Sequence, residues 1–332
     1  MTSFTFRPVF TARAVSMALL ALVAALLLAG CSGDAQATEV RASGAAPAST
    51  PVARRVYLVP PPSGVVPVQP IQTVAPRISA RAAIVIDDAT GAVLYEYNSR
   101  AHFQPASLTK IATAALAIDK GKLDRIVTID TTFDDPSLDD ATEMGLEPGD
   151  KFTLRDLIYG MLLPSGADAS IAIARGVSGS EAAFVKEMNA FMESLGLFDT
   201  HFIDPHGIGG PTHVSTAYDL AMLSRYALRQ PLFAQAARTE AYRAVGSRDI
   251  TVYNTNPWSF LYEGGDGVKS GFTEQAGPTL SASATRNGHR VIVIVLDSYQ
   301  RNEDTTALMD WAFHTFCWND GVLGCQRPQA GR

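Results

Sequence analysis

Cysteine is scarce in this 332-residue chain, which has only Cys31, Cys317 and Cys325. Three thiols without His or Cys neighbours at ligand spacing do not make a zinc site. Charge is also sparse, at 18% of residues, and the net charge of -6 comes with no long Lys/Arg run. A polyanion would meet no basic field here, which excludes nucleic acid as a partner. The six histidines are scattered, and neither His-Glu-x-x-His nor Gly-x-Ser-x-Gly occurs. Zinc-peptidase chemistry and the nucleophile elbow of the α/β-hydrolases therefore find no support. Internal repeats are absent. Nothing implies a metal or an organic cofactor. What the chain does have is an apolar fraction of 47%, enough for a full-sized core.

Arg7 and Arg13 precede an apolar stretch over 14–29 that ends in small residues. That order is the pattern of an export signal, here residues 1–30, and not of a folded element. Its end, Leu28-Ala29-Gly30-Cys31-Ser32, resembles the lipobox of bacterial lipoproteins. The resemblance implies cleavage before Cys31, lipidation of that residue, and an exported protein anchored in the cell envelope, facing the periplasm or the exterior. The alternatives are an ordinary signal peptide cut nearby and an uncleaved anchor. Residues 31–76, rich in Ala, Pro, Ser and Val and containing Pro60-Pro61-Pro62, read as an unfolded tether to a domain spanning 77–332. With Cys31 given to lipid, Cys317 and Cys325 remain as a pair in an oxidising compartment, where a disulfide is expected; two free thiols are the alternative.

Within the domain, two short strand-like runs over 82–87 and 92–97 flank Asp88-Ala89-Thr90-Gly91, which predicts a hairpin. A second hairpin is predicted over 279–285 and 290–297, with Asn287-Gly288 at its bend. Its second run is apolar throughout, as in a strand covered on both faces. Between the hairpins the period becomes helical. Phe184, Met188, Phe191, Met192 and Leu195 follow Ser180-Glu181, Thr216-Ala217-Tyr218-Asp219 matches a capping box, and a last helix is expected over 303–316. Strands at both ends with helices between them predict an α+β fold, an antiparallel sheet flanked by helices.

Ser107-Leu108-Thr109-Lys110 opens a helical run over 111–118. Residues three apart share a helix face, so hydroxyl and amine can meet at the helix start, where free N–H groups favour developing negative charge. A serine hydroxyl needs a base, and a lysine serves only if burial or a second cation lowers its pKa. Lys269-Ser270-Gly271-Phe272 offers that cation, a hydroxyl for a substrate carboxylate, and close backbone approach. Standing alone, the same stretch reads as a polar turn beside the second hairpin.

Taken together, Ser-x-x-Lys at 107, Pro164-Ser165-Gly166 between two helices, and Lys269-Ser270-Gly271 resemble the three ordered motifs of the penicillin-binding serine acyltransferases. The stretch 102–107, His-Phe-Gln-Pro-Ala-Ser, and Pro205-His206-Gly207 and Tyr218-Asp219-Leu220-Ala221 narrow the likeness to the low-molecular-mass D-alanyl-D-alanine carboxypeptidases. The resemblance implies their β-lactamase-like fold with a helical subdomain. It also implies removal of the terminal D-Ala from peptidoglycan stem peptides through an acyl-enzyme, with β-lactams as covalent inhibitors. Carried over by residue, Ser107 is the nucleophile, Lys110 its base and Ser165 a proton shuttle. Lys269, Ser270, Gly271, Phe272 and Arg301 hold the substrate, and the Ser107 and Phe272 N–H groups form the oxyanion hole. Arg301 has a solvated surface charge as its alternative reading.

The likeness has departures. Ala167 stands where the family has an Asn whose amide touches both the lysine and the substrate carbonyl, so Lys110 must be held instead by Ser165, water or a neighbour such as Asp168. Ser270 replaces the commoner Thr. The chain ends soon after its last predicted helix, so the second β-rich domain and amphipathic anchor of some relatives are not expected. Two other functions compete: a stem-peptide or penicillin-binding module with little turnover, and a serine β-lactamase. The second lacks the Glu-x-x-Leu-Asn stretch that would supply a deacylating acid.

Overall fold

Alternating side chains on a strand point to opposite faces, and the strand β9, His289–Leu296, uses both for the core. Ile292, Ile294 and Leu296 belong to one apolar cluster, Val291, Val293 and Val295 to another. The apolar run marks this strand because neither face meets water. The computed structural model describes residues 67, 73–130, 133, 138 and 141–318. The expected signal segment, Cys31, most of the expected tether, and Cys325 lie outside them.

Five antiparallel strands form the main sheet in the order β2-β1-β9-β8-β7. These are β1 (Ala82–Asp87), β2 (Val93–Tyr97), β7 (Gly265–Thr273), β8 (Gly277–Arg286) and β9. In register, Ile84 faces Ile294 and Ala282 faces Val293. The β8–β9 bend has Asn287 at φ 52 and Gly288 at φ 81, the paired positive values of a two-residue turn that suits strand twist. The expected hairpins thus form, with the second longer at its start, while β7 adds a third strand where the stretch by itself suggests a polar turn. Glycine at 265, 267 and 271 had masked it, because strand interiors disfavour Gly unless another group approaches closely.

One face of the sheet is covered by the helix α8 (Arg301–Thr315), whose Leu308, Met309 and Ala312 pack on the valines of β9. The other face meets α5 (Ala217–Ala227). Next to α5 lies α1 (Thr109–Asp119), where every residue from Thr109 to Ala117 is buried. Around α1 pack α2 (Leu154–Leu162), α3 (Ala167–Ser178), α4 (Glu181–Ser194) and α6 (Pro231–Ala237). Two small hairpins complete the helical side, β3–β4 (Ile126–Thr128, Lys151–Thr153) and β5–β6 (Ala241–Val245, Asp249–Tyr253), together with the short α7 (Trp258–Leu261).

Helix starts follow local chemistry. Ser180 caps α4 by accepting from Ala183 N, and Thr216 caps α5 by accepting from Asp219 N. The Asp219 carboxylate turns away to Asp199 N and Thr200 Oγ1. At the chain's other tie point, Asp304 accepts from Ser79 N, Ala80 N and Ser298 Oγ, and the Thr73 and Thr315 hydroxyls lie 2.6 Å apart. Cys317 is disulfide-bonded. Among the described residues no helix is long and apolar enough to cross a membrane.

Candidate active site

The buried helix α1 starts through a tight turn over Ala106–Leu108, and Ser107 sits in that turn. Ala106 before it is left-handed at φ 50, a conformation that costs a non-glycine residue about 1 to 3 kcal/mol and clusters at functional sites. One helical turn on, Lys110 Nζ lies 3.1 Å from Ser107 Oγ and donates to the His206 carbonyl at 2.7 Å. Lys110 is 1% exposed. Burial is the main reason its pKa falls to about 7, and the Asp204 and Asp168 carboxylates pull the other way without prevailing.

That His206 carbonyl, and neither Ser165 nor Asp168, is the neighbour that holds the amine. Lys110 is held by a backbone oxygen, and the Asp168 carboxylate is spent elsewhere. It accepts from Met144 N, Gly145 N, Leu146 N and Ala169 N at 2.7 to 2.9 Å, clasping the 144–146 segment against the start of α3. The His206 carbonyl is itself aimed by Asp204, which accepts from the N–H groups of His206, Gly207 and Gly209 at 2.5 to 2.8 Å. Burial alone would raise the Asp204 pKa, but its surroundings, the Gly207 and His206 N–H groups among them, hold it below the usual carboxylate range. Gly207 allows the loop to come so close: at φ 90, a Cβ there would lie 1.9 Å from the Ala106 carbonyl. The Asp-Pro-His-Gly stretch carries an Asx-turn signal for this loop, but nothing in it names the lysine as the loop's partner.

Ser165 lies in the α2–α3 connection, left-handed at φ 72. Its carbonyl accepts from Thr142 Oγ1 at 3.0 Å. Its hydroxyl is buried and has no partner among the described residues, a state that a ligand would relieve. Ala167, the first residue of α3, packs with Leu138 and Ile171 and against Ile208, so apolar contact fills the position where the resemblance implies an amide.

The third motif lies on β7, the edge strand beside the nucleophile. Gly271 brings the strand in: a Cβ on it would come within 2.9 Å of Ser107 N and 3.1 Å of Ala106 Cβ. Lys269 is 2% exposed and donates to the Ser270 carbonyl at 3.0 Å. Its pKa is pushed well down, first by burial, then by the Lys110 and Arg301 charges. Arg301, the first residue of α8, donates to the Gly271 carbonyl at 2.9 Å, and burial lowers its pKa. It is thus packed behind the strand's end and is not a free surface charge. A groove lined by Phe272, Pro278, Tyr299, Arg301, Asn302 and Glu303 opens there, with Phe272 57% exposed.

The arrangement provides a buried amine of depressed basicity against a serine at a helix start, an unsatisfied hydroxyl, and a glycine-backed strand edge with two further basic side chains. Among the described residues no group of three or more His, Cys, Asp or Glu is placed to hold a metal. This chemistry suits acyl transfer through a serine ester.

A profile of the family described as D-alanyl-D-alanine carboxypeptidase matches residues 69–300. The D-alanyl-D-alanine carboxypeptidase DacF of Bacillus subtilis is 37% identical over 245 residues, covering 71% of this chain and 63% of its own. DacC of Escherichia coli is 37% identical over 257 residues, 74% of this chain and 64% of its own. The chain thus spans somewhat under two thirds of the length of these relatives. Among solved structures, a DD-transpeptidase from a Streptomyces strain aligns at TM-score 0.69 and 33% identity, over 73% of this chain and 99% of that one. A D-alanyl-D-alanine carboxypeptidase from Mycobacterium tuberculosis aligns at TM-score 0.69 and 30% identity, over 74% and 96%.

Proposed function

The chain belongs to the D-alanyl-D-alanine carboxypeptidase family, and from that premise we propose that it is a serine DD-carboxypeptidase trimming the terminal D-Ala from peptidoglycan stem peptides. The observation that carries this reading is the 3.1 Å approach of the buried Lys110 amine to the Ser107 hydroxyl. One N–H of the neutral amine is fixed on the His206 carbonyl, and rotation about that bond can bring its lone pair to Ser107. Ser107 Oγ attacks the carbonyl carbon of the penultimate D-Ala while its proton passes to Lys110. The tetrahedral oxyanion lies between the Ser107 and Phe272 N–H groups, a reading supported by the close approach of Gly271 to Ser107 N. The C–N bond then breaks, and the proton reaches the leaving amine of D-Ala by way of Ser165. Water attacks the serine ester, returning the hydroxyl to Ser107 and releasing the shortened peptide.

Lys269, Ser270 and Arg301 receive the terminal carboxylate. Burial favours the neutral, basic form of Lys110. β-Lactams would enter the same site and stop at the acyl stage. The leader-like segment and Cys31 support an exported, lipid-anchored envelope enzyme whose folded domain follows a tether, with Cys325 as the partner of Cys317.

The working amine is unprotonated, and a base with pKa about 7 is unprotonated above that pH. The acylation rate is therefore expected to climb about tenfold per pH unit below neutrality and level off above it. Stopped-flow penicillin acylation from mildly acid to mildly alkaline pH checks this, and a profile flat through neutrality contradicts the assignment of Lys110. The reading as a whole is tested by release of D-Ala from a pentapeptide ending in D-Ala-D-Ala. Turnover above a Ser107→Ala control is expected. Turnover equal to that control would favour a stem-binding module, a reading motivated by the apolar surroundings of Ala167.

A further inference from the structure

The ring of His213 is buried at 2% exposure on the far side of the nucleophile turn, outside all three motifs. Its Nε2 lies 2.8 Å from Thr109 Oγ1, and its Nδ1 is 3.2 Å from Ile203 N. Thr109 stands between Ser107 and Lys110 in the sequence. Its hydroxyl donates to the Ala106 carbonyl at 2.9 Å. A hydroxyl has one proton, so the contact with His213 has only one sense: Nε2–H donates to Thr109 Oγ1. Nδ1 then carries the lone pair that accepts the Ile203 N–H.

Among the charged groups around the ring, Asp204 favours the imidazolium, and burial with the remaining charges opposes it. Asp204 Oδ2 is 3.5 Å from Nδ1, beyond a good hydrogen bond, and its carboxylate is already occupied by three backbone N–H groups. Burial lowers the His213 pKa, and the His201 and Lys110 charges act in the same sense against the opposing pull of Asp204.

We infer that His213 is a positioning residue for the acyl-transfer site, fixing the Thr109 hydroxyl on the Ala106 carbonyl and joining the nucleophile turn to the loop that holds Lys110. The inference rests on the function proposed above. Both ends of the link bear on the reaction. Ala106 is in a left-handed conformation that must be held from outside, and Ser107 follows it directly. Ile203 begins the 203–209 segment, whose His206 carbonyl orients the Lys110 amine and whose Gly207 presses on the Ala106 carbonyl. Without the imidazole the Thr109 hydroxyl is free to rotate, and serine and amine lose a shared support.

The probes are a fluorescent penicillin and protein labelled with ¹⁵N-histidine. The His213 spectrum is expected to show Nε2 protonated and Nδ1 bare at neutral pH, with the Nε2 signal moving in Thr109→Val. His213→Ala and Thr109→Val should each slow acylation by about tenfold, the size of one lost buried hydrogen bond. Because the two act as one chain, the double variant should be no slower than either. His213→Gln, which keeps a side-chain N–H donor, should recover most of the rate, whereas a residue of purely structural importance would not separate Gln from Ala at equal thermal midpoint. A ring protonated at Nδ1, a double variant whose losses multiply, or a folded His213→Ala acylating at the wild-type rate overturns the inference. If His213→Ala does not fold, Thr109→Val, His213→Gln and the spectrum decide. A wild-type protein that takes up no penicillin strikes the proposed function, and the spectrum then decides the His213 bond by itself.

Discussion

Ser107→Ala is expected to abolish covalent uptake of a fluorescent penicillin, and Lys110→Ala to slow it by roughly 10²–10⁴-fold, the range that general-base assistance covers. The β-lactam amide imitates the scissile D-Ala-D-Ala bond, so labelling reports the first chemical step without requiring turnover. Ser107 Oγ faces Lys110 Nζ at 3.1 Å. The two other motif serines lack such a base: Ser165 Oγ has no partner among the described residues, and Ser270 is on β7, whose Lys269 amine is turned to the Ser270 carbonyl. Lys110→Ala also leaves the His206 carbonyl without its donor, so part of the loss will come from a relaxed loop. Lys110→Arg separates the effects: guanidinium restores a donor but stays protonated, so it should remain as slow as Ala. Mass mapping of the labelled peptide provides the decisive check. A label on Ser165 or Ser270 would remove Ser107 from the mechanism.

The largest effect on stability is expected at Asp168. Asp168→Ala removes the acceptor of four backbone N–H groups, three of them on a segment whose Met144 and Leu146 are buried. Donors left bare in the interior cost about 1 to 3 kcal/mol each, and they do not add fully because the segment can relax toward water. A loss on the order of 3 to 5 kcal/mol is expected in denaturant unfolding. Activity should fall with it. Thr142, just before the clasped segment, bonds both the Ser165 carbonyl and Ala167 N, so the α2–α3 corner shifts when the clasp opens. Asp168→Asn keeps one acceptor oxygen but turns an amide N–H₂ toward the other donors, and should lie between the two. Unfolding of Asp168→Ala within about 1 kcal/mol of wild type, the ordinary scale of point substitutions, would show that the clasp contributes little.

The amino-acid sequence by itself determined the parts of this protein that depend on near neighbours. Ser107 and Lys110 come together because three residues make nearly one helical turn, and no distant contact is needed for that. The Asn287-Gly288 bend and the caps at Ser180 and Thr216 follow from the conformations and hydrogen bonds those side chains make within a few residues. The unbroken apolar run of β9 predicted a strand buried on both faces, and a sheet with helices on each side supplies that burial. Only the tertiary structure decided what holds the lysine. Its acceptor is a backbone carbonyl 96 residues away, and every residue type offers a carbonyl, so no side-chain pattern can mark it. The same holds for Asp168, whose partners are also backbone N–H groups on another segment, and for His213, which reaches Thr109 across 104 positions. Standing alone, the Lys269 stretch reads as a polar turn, and only the packed chain brings Gly271 against Ser107 N, because a glycine leaves no sign of which backbone it admits. Local periodicity and capping are written in side chains, whereas the pKa of Lys110 arises from burial, and burial is a property of the packed chain as a whole.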